Sequence, residues 1–327
     1  MIISRALAAV ALMFALPAVA GAQVTLDLIN EYPATAISGE ADTYFAAAVK
    51  RHSGERIIIR PIPDAKSGLR SREQLQAVSE NRFALADSVG GTLGDESPLF
   101  LLSSLPFVTS TLADARALSE LARPLYEQAF AQRKQKLLFM LPWPPSGIWS
   151  AAPLDGIAAL KALKIRTYDN TGTEVLARAA AHAAMVSFSD LNPQLESGAF
   201  NAVLSSGDGG AGRQMWKYLR HFSAINYAVP LSFVSISRAA WDALDDAGRA
   251  ALTAAARETA ERQWAALTTR LDENYARMRE NGVAIDEKPP ADVMQALHAA
   301  GDATVAAWLE HAGPEARQVY ETYRQRQ

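Results

Sequence analysis

A single arginine, Arg166, is the side chain in this sequence whose setting best suits the binding of an anion. It lies in the run KIRTY, which predicts a strand, directly behind the polar loop Asp155 to Lys164. A guanidinium group is planar and presents two parallel N–H donors, so it matches a carboxylate with two hydrogen bonds. An arginine in such a place can equally be a solvated surface side chain. The residue alone therefore leaves a carboxylate anchor and a surface cation equally open.

Three large aromatic side chains, Trp143, Trp149 and Phe188, fall at predicted strand ends or in loops rather than on a helical stripe. Aromatic residues most often pack in a core, and this is the simpler interpretation of all three. However, α/β folds place ligands at strand ends, and ligand pockets are mostly apolar with few polar anchors. The three rings are therefore also candidates for the wall of a binding site.

The run Gly207 to Gly212 satisfies the spacing G-x-G-x-x-G between a predicted strand and a predicted helix. This is the order of a dinucleotide-binding fingerprint, which makes an exported dinucleotide-binding enzyme one alternative. The fingerprint also needs an acidic residue about 20 positions later to hold a ribose hydroxyl. No Asp or Glu occurs between Asp208 and Asp242. We therefore favour a flexible turn whose backbone N–H groups could face an anion.

The remaining reactive side chains do not form a recognisable site. The chain has no cysteine, and none of its five histidines lies four residues from another or beside an acidic pair at ligand spacing. This pattern predicts neither a metal site nor a cofactor, and no G-x-S-x-G turn indicates a hydrolase. The net charge of −3 is spread along the chain without a basic stripe for nucleic acid. We therefore expect a protein that is not an enzyme.

The first 22 residues predict a secretory signal peptide. Arg5 precedes an apolar run that closes on small residues, and cleavage near Ala22 would leave Gln23 at the mature N-terminus. A membrane anchor is a weaker interpretation, because the run is short and Pro17 interrupts it. A lipoprotein would need a cysteine for acylation. We expect a periplasmic protein whose stability rests on packing rather than on disulfides.

Strand-like runs alternate with amphipathic helical windows, which predicts an α/β protein with two domains. The proline-rich run Leu141 to Ser150 and the strand Val229 to Ser237 are predicted to carry the chain between them. Between these crossings, Thr173 to Ala184 and Gln214 to His221 are predicted helices. The predicted division is residues 23–145 plus about 226–262 for the first domain, and residues 146–225 plus about 263–327 for the second.

A long helix over about residues 247–281 is predicted to span both domains. Its apolar residues recur at every third or fourth position, which is the period of a helix with one packed face. Such a helix can be a strut across two domains of one chain or one strand of a coiled-coil dimer. We favour the strut, and hence a monomer.

Five segments in a fixed order give the sequence a family resemblance. They are FAAAVKRHSGER at residues 45–56, SGLRSREQLQAV, LPFV at 105–108, PLDGIAALKALKIRTYDN at 153–170, and SFSDLNPQLESGAFNAVLSS at 187–206. Each is weak alone, but their collinear order resembles the DctP-like substrate-binding subunits of tripartite ATP-independent periplasmic (TRAP) transporters. The resemblance covers essentially the whole mature chain. It implies a two-domain fold of the periplasmic-binding-protein type, with crossing hinge strands and a long bridging helix.

The same resemblance implies a function and partners. Such receptors capture a small organic acid by hinge closure and deliver it to the small and large membrane subunits of the transporter. A receptor that presents its ligand to a sensor kinase would share the fold, so that alternative stays open.

The resemblance also assigns roles to individual residues. The family's carboxylate-binding arginine falls on Arg166, its ligand-stacking aromatic on Phe188, and the polar residue ending the next strand on Ser205, where Asn is usual. A second family arginine should fall at Trp149 and is absent. We therefore expect a monocarboxylate with an apolar or aromatic body, held between Trp143, Trp149 and Phe188. Further expected site residues are Ser146 in the crossing segment and Glu31, Tyr32, Ser88 and Gly90 at the mouth of the cleft.

Overall fold

The computed structural model describes residues 23–109 and 111–326. The predicted signal peptide and its cleavage site lie outside these residues. None of the helices within the described ranges has both the length and the apolar composition that crossing a membrane requires.

The first sheet has five strands: β1 (Val24–Asn30), β2 (Ile57–Ile62), β3 (Leu85–Val89), β4 (Gln135–Pro142) and β10 (Leu231–Ser237). Their order is β2-β1-β3-β10-β4. Three consecutive isoleucines begin β2, and β-branched side chains of this kind favour strands. β1 pairs in parallel with β2 and β3, whereas β10 runs antiparallel to both β3 and β4.

Three helices pack on this sheet: α1 (Ile37–His52), α2 (Ser71–Ser79) and α3 (Leu112–Gln132). In α1, Phe45 and Val49 lie on one face and share a hydrophobic core with Leu28 and Ile59 of the sheet. Their separation of four residues places them on the same side of the helix. We call the first sheet and these helices lobe I.

The second sheet has six strands: β5 (Ser146–Ser150), β6 (Lys164–Thr167), β7 (His182–Met185), β8 (Ala202–Ser206), β9 (His221–Ser223) and β11 (Ala284–Asp286). Their order is β11-β9-β5-β8-β6-β7. The short helices of this part are α4 (Ile157–Lys161), α5 (Asn170–Arg178), α6 (Leu191–Glu196) and α7 (Gly207–Gly212). We call the second sheet and these helices lobe II.

Two segments of this region that were predicted as helices differ in the structure. The first, predicted to reach Ala184, ends at Arg178, because Ala180 has the left-handed backbone angle φ of 66°, and β7 follows. The second is replaced by a single 3-10 turn, Met215–Lys217, preceded by Gln214 with φ of 54° and followed by β9. In both places a left-handed residue interrupts the predicted helix, and a strand that the helical pattern concealed follows further along the chain.

The chain crosses between the lobes at the two predicted places. β4 of the first sheet leads directly into β5 of the second, and β9 of the second leads back into β10 of the first. The two crossing segments, which join β4 to β5 and β9 to β10, are hydrogen-bonded to each other. The backbone N–H of Trp143 donates to Pro230 (2.8 Å), and that of Ser146 donates to Ala228 (2.9 Å).

A helix of 35 residues, α9 (Asp246–Glu280), follows the short helix α8 (Arg238–Asp242) and packs on both lobes. Leu252 and Ala256 lie in the core of lobe I. Leu267 and Met278, further along, lie in a cluster with Trp149 of lobe II. The apolar face of α9 is thus used within one chain, as expected for a strut, and the oligomeric state stays a prediction.

The two last helices are α10 (Ala291–His311) and α11 (Gly313–Arg324). α10 buries Val293 and Leu297 in the core of lobe II. α11 returns to lobe I, where Ala316 and Tyr323 lie in the same core as Leu118 of α3. The predicted domain division, which places α11 with the second domain, therefore separates it from the layer that it packs against.

Candidate functional site

A small, partly open cavity lies between the two lobes, beside the crossing segments. All three parts of the molecule contribute to its wall. The residues that line it are Tyr32 and Val89 from lobe I, Trp143, Ser146 and Pro230 from the crossing segments, and Arg166, Tyr168, Ser205 and Ser206 from lobe II. Five of these residues, Tyr32, Trp143, Ser146, Arg166 and Ser205, were predicted from the sequence.

Strand alternation positions Arg166 in this cavity. On β6, Ile165 is buried in the core of lobe II, so the next side chain must leave the opposite face of the sheet. Arg166 does so and is only 2% exposed. Its Nε donates a hydrogen bond to the carbonyl of Val186 at 2.7 Å, which fixes the plane of the guanidinium. The prediction that this arginine lies within a strand and points inward agrees with the structure.

The two terminal nitrogens of Arg166 form no hydrogen bond or ion pair with any residue that the structure describes. Burial lowers the pKa of the guanidinium, while the side chains of Tyr32 and Glu31 oppose this effect. Arginine nevertheless stays protonated in proteins, since its ordinary pKa exceeds 12. A buried, partly unpaired cation carries a large desolvation cost unless an anion joins it. The cavity is therefore suited to bind an anion.

Two aromatic rings form the apolar part of the wall. The ring of Tyr32 is tilted against Trp143 with centroids 4.6 Å apart. On its other side, Tyr32 stacks on Phe188 at 4.2 Å and an interplanar angle of 22°. Phe188 thus lies behind Tyr32 instead of lining the cavity, and the guanidinium of Arg166 is 5.8 Å from its ring centroid.

The neutral polar groups of the cavity are hydroxyls. The hydroxyls of Ser146 and Tyr168 are 3.4 Å apart. Burial raises the pKa of both Tyr32 and Tyr168, so these phenols are neutral and can donate hydrogen bonds. Tyr168 was not predicted, although it follows the end of β6, where α/β sheets place ligand contacts.

Trp149 lies in the core and does not line the cavity. Its Nε1 donates to the carbonyl of Ser206 at 3.1 Å, and its ring meets Phe222 edge-on at 5.3 Å. A Cβ atom added at Gly210 would lie 2.1 Å from the indole atom Cζ2 of Trp149. The run of glycines is thus a short, buried helix, α7, that allows an indole to pack against its backbone. Gly210 stands at a variable position of the G-x-G-x-x-G spacing, and this packing explains why a glycine is needed there.

The other three residues expected at the mouth of the cleft lie outside the cavity wall. Ser88 is hydrogen-bonded to the side chain of Gln74 (2.8 Å) inside lobe I. Gly90 accommodates the ring of Phe233, which would lie 2.5 Å from an added Cβ. Glu31 joins the two lobes through hydrogen bonds from Ser189.

Polar contacts tie the lobes together next to the cavity. Glu31 of lobe I accepts hydrogen bonds from the backbone N–H and the hydroxyl of Ser189 in lobe II, at 2.8 and 3.0 Å. Beside it, Arg70 and Asp190 form a two-pronged ion pair of 2.6 and 2.9 Å. On another side, Asp208 of α7 accepts from the first backbone N–H of α1, that of Ile37, at 2.8 Å. In this structure the lobes are therefore in close contact around the cavity.

Asp169 is a further buried acid at the junction of the lobes. One carboxylate oxygen accepts from the backbone N–H of Gly172 at 2.7 Å and caps α5. The other faces lobe I, where it would lie 2.5 Å from a Cβ added at Gly91. Burial raises the pKa of Asp169 to about 6, although the bond from Gly172 and the charge of Arg166 oppose this.

Comparison with known proteins places the chain in a family. The model of the bacterial extracellular solute-binding proteins of family 7, DctP, matches residues 30–310. The chain belongs to the DctP family. This confirms the resemblance inferred from the collinear motifs, and the members of this family are solute-binding proteins. No curated protein matches the sequence.

Solved structures with the DctP fold are similar over nearly the whole chain. DctP6, a Bordetella pertussis extracytoplasmic solute receptor binding pyroglutamic acid, is 26% identical, with a TM-score of 0.88 over 92% of this chain and 100% of that one. DctP7 of the same organism, also binding pyroglutamic acid, is 25% identical, with a TM-score of 0.88 over 92% of this chain and 99% of that one. A TRAP solute-binding protein of Desulfovibrio salexigens with bound orotic acid is 17% identical, with a TM-score of 0.84 over 93% of this chain and 98% of that one. These likenesses confirm the predicted two-domain fold of the DctP protein.

Proposed function

We propose that this DctP protein is a periplasmic receptor that captures a small organic acid and delivers it to the small and large membrane subunits of a TRAP transporter. The observation that carries the proposal is Arg166, a buried guanidinium in a cavity between two lobes, whose two terminal nitrogens have no partner among the described residues. A ligand carboxylate would supply the missing anion through two parallel hydrogen bonds. The family description as extracellular supports export. Cleavage near Ala22 and a monomeric mature protein are further parts of the proposal.

The ligand that fits best is a monocarboxylate. Arg166 is the only charged side chain among the described residues that line the cavity. The nearby Arg213 is 5.0 Å from the ring centroid of Phe188, but it is paired with Asp64 at 3.1 Å. A second carboxylate would thus find no further cation among the described lining residues to offset its desolvation. The two relatives that bind pyroglutamic acid, a compact ring with one carboxylate, support this class of ligand.

The body of the ligand would lie between Tyr32 and Trp143 instead of against Trp149. Both rings line the cavity, whereas Trp149 is held in the core beneath α7. The hydroxyls of Ser146 and Ser205 would then be available to a polar atom on the ligand. Aromatic walls with a few polar groups are typical of pockets for small organic molecules.

Binding would proceed by hinge closure about the two crossing segments. The ligand pairs with Arg166 in lobe II, and lobe I then brings Tyr32 over it and expels water. The contacts of Glu31 with Ser189 and of Arg70 with Asp190 form as the lobes meet. A drier cavity strengthens the bonds to the carboxylate. The closed surface is what the membrane subunits would recognise.

A thermal-shift panel on the mature protein, stripped of ligand by unfolding and refolding, tests the proposal. It compares pyroglutamate and other monocarboxylates with succinate and other dicarboxylates. At a ligand concentration of about 100 Kd, binding stabilises the folded state by about 2.7 kcal/mol, which raises Tm by several degrees. We expect this rise with monocarboxylates. A larger rise with a dicarboxylate would overturn the monocarboxylate assignment, and no rise with any organic acid would overturn the receptor function.

A further inference from the structure

We propose that Tyr32 determines which acids this protein accepts. Its ring restricts the ligand to a compact monocarboxylate, and its phenol donates a hydrogen bond to the bound acid. The inference rests on the proposed function, because it concerns the specificity of the same cavity.

The position of Tyr32 makes it a limit on ligand size. Tyr32 and Val89 are the described cavity residues that lobe I supplies, and Tyr32 has by far the larger side chain. Its ring covers Phe188 at a stacking distance of 4.2 Å. Tyr32 therefore fills the space in front of the ring of Phe188, which a larger ligand would otherwise be able to occupy.

The backbone on both sides of Tyr32 is fixed, so the ring cannot easily move aside. Its N–H donates to the side-chain oxygen of Asn30 at 2.8 Å, and its carbonyl accepts from the N–H of Asp64 at 2.8 Å. The preceding residue, Glu31, is held by both Ser71 and Ser189. A buried ring locked in this way would clash with a bulky ligand instead of adapting to it.

The phenol of Tyr32 is a free donor. The side chain is buried, and no residue within the described ranges hydrogen-bonds to its hydroxyl. A buried hydroxyl without a partner costs free energy, and a ligand oxygen in the cavity would satisfy it. Tyr32 and Arg166 line the same cavity, so both can face one bound anion.

Isothermal titration with pyroglutamate and D-glucuronate, a larger sugar acid, tests both roles. Tyr32→Phe keeps the stacked ring and removes only the hydroxyl. We expect it to weaken pyroglutamate binding by about ten- to hundredfold, the value of one hydrogen bond to a charged group. Tyr32→Ala opens the space over Phe188, and we expect it to shift the ratio of the two affinities towards D-glucuronate by at least about tenfold.

The control is Tyr218→Phe, which removes a hydroxyl that donates to Glu196 on the surface, away from the cavity. It should bind both acids like the wild type. If Tyr32→Ala melts at a much lower temperature, Tyr32→Leu, which keeps an apolar contact with Phe188, replaces it.

The outcomes distinguish a failure of the proposed role of Tyr32 from a failure of the proposed receptor function. If the wild type binds pyroglutamate and Tyr32→Phe binds it equally well, the phenol has no role in recognition. If the wild type binds pyroglutamate and Tyr32→Ala, or Tyr32→Leu in its place, keeps the wild-type ratio of the pyroglutamate and D-glucuronate affinities, the ring of Tyr32 does not limit the size of the ligand. If the wild type binds no organic acid, the proposed function falls and the specificity role with it.

Discussion

The guanidinium of Arg166 is bonded on one side only. Val186 accepts from Nε, and the two remaining nitrogens face a cavity whose other described lining residues are neutral. Without a bound anion, this arrangement destabilises the folded protein, because the guanidinium is removed from water without gaining a counter-charge. A ligand carboxylate offsets that cost, so the same residue provides both affinity and selection for anions.

Asp169 should make ligand capture depend on pH. Its pKa is raised to about 6 where the lobes meet, whereas an exposed aspartate has a pKa of about 3.9. Opening the lobes would hydrate the carboxylate, so protonation favours the closed form. The stabilisation is complete below about pH 4 and is lost as the pH rises through 6. We expect affinity to fall by about tenfold between pH 5 and pH 8.

Asp169→Asn imitates the protonated acid and can still cap α5. We expect this variant to bind pyroglutamate more tightly than the wild type at pH 7.5 and to have a flat pH profile in isothermal titration. Asp155→Asn, which changes an exposed carboxylate on lobe II, is the matched control. A wild-type profile that is flat from pH 5 to pH 8 would show that closure does not bury this charge.

The sequence predicted part of the site at the level of single residues. The residue pattern alone left Arg166 equally open as a carboxylate anchor or a surface cation, and the family resemblance gave it the first role. Trp149 and Ser146 were both expected to contact the ligand, yet they lie three positions apart on β5 and must leave opposite faces of the strand. This alternation could not be applied while the proline-rich segment was interpreted as irregular. Phe188 was expected against the ligand; in this structure Tyr32 stacks on its ring and Phe188 does not line the cavity, so its role in binding stays a prediction.

At the scale of elements, the glycines of α7 have individual packing roles. Gly210 accommodates Trp149, as described above. A Cβ at Gly212 would meet only Pro33 at 3.3 Å and Ala36 at 3.7 Å. The two positions of one short helix therefore differ in how much room they have for a methyl group.

Gly210→Ala should therefore destabilise the protein. Overpacking a tight core costs about 1–3 kcal/mol, which corresponds to a fall of several degrees in Tm by calorimetry. Gly212→Ala is the control in the same helix and should change Tm little, because alanine also favours helix. If Gly210→Ala melts at or above the wild-type temperature, the indole is not packed against this backbone.

The helix boundaries were predicted correctly where the sequence carries a clear capping residue. α9 begins at a true cap, since the side chain of Asp245 accepts from the N–H of Gly248 at 2.6 Å. β7 was missed because the run from residue 177 to 184 is rich in alanine, which favours helix, while a left-handed Ala180 reverses the chain. The sequence does not indicate that an alanine adopts a left-handed backbone conformation, because its side chain is typical of helices.

At the scale of the whole molecule, the fold joins two lobes by two strand crossings and a strut. Alternating strands and helices and the proline-rich crossing were sufficient to predict this plan. The return of α11 to lobe I was not predictable, since an amphipathic pattern shows that a helix packs but not against which partner. The contacts of Glu31 and Arg70 across the cleft join residues more than 100 positions apart, for which local patterns give no information.

The central claim is that the lobes close on a carboxylate held by Arg166. Isothermal titration of pyroglutamate into wild type, Arg166→Ala and the control Arg178→Ala tests it most directly. Arg178 forms an exposed ion pair with Glu174 on α5, so its loss should leave affinity unchanged. Removing Arg166 should cost about 2–5 kcal/mol, which weakens binding by about 30-fold to several thousand-fold. A folded Arg166→Ala protein that binds the acid as tightly as the wild type would contradict the account.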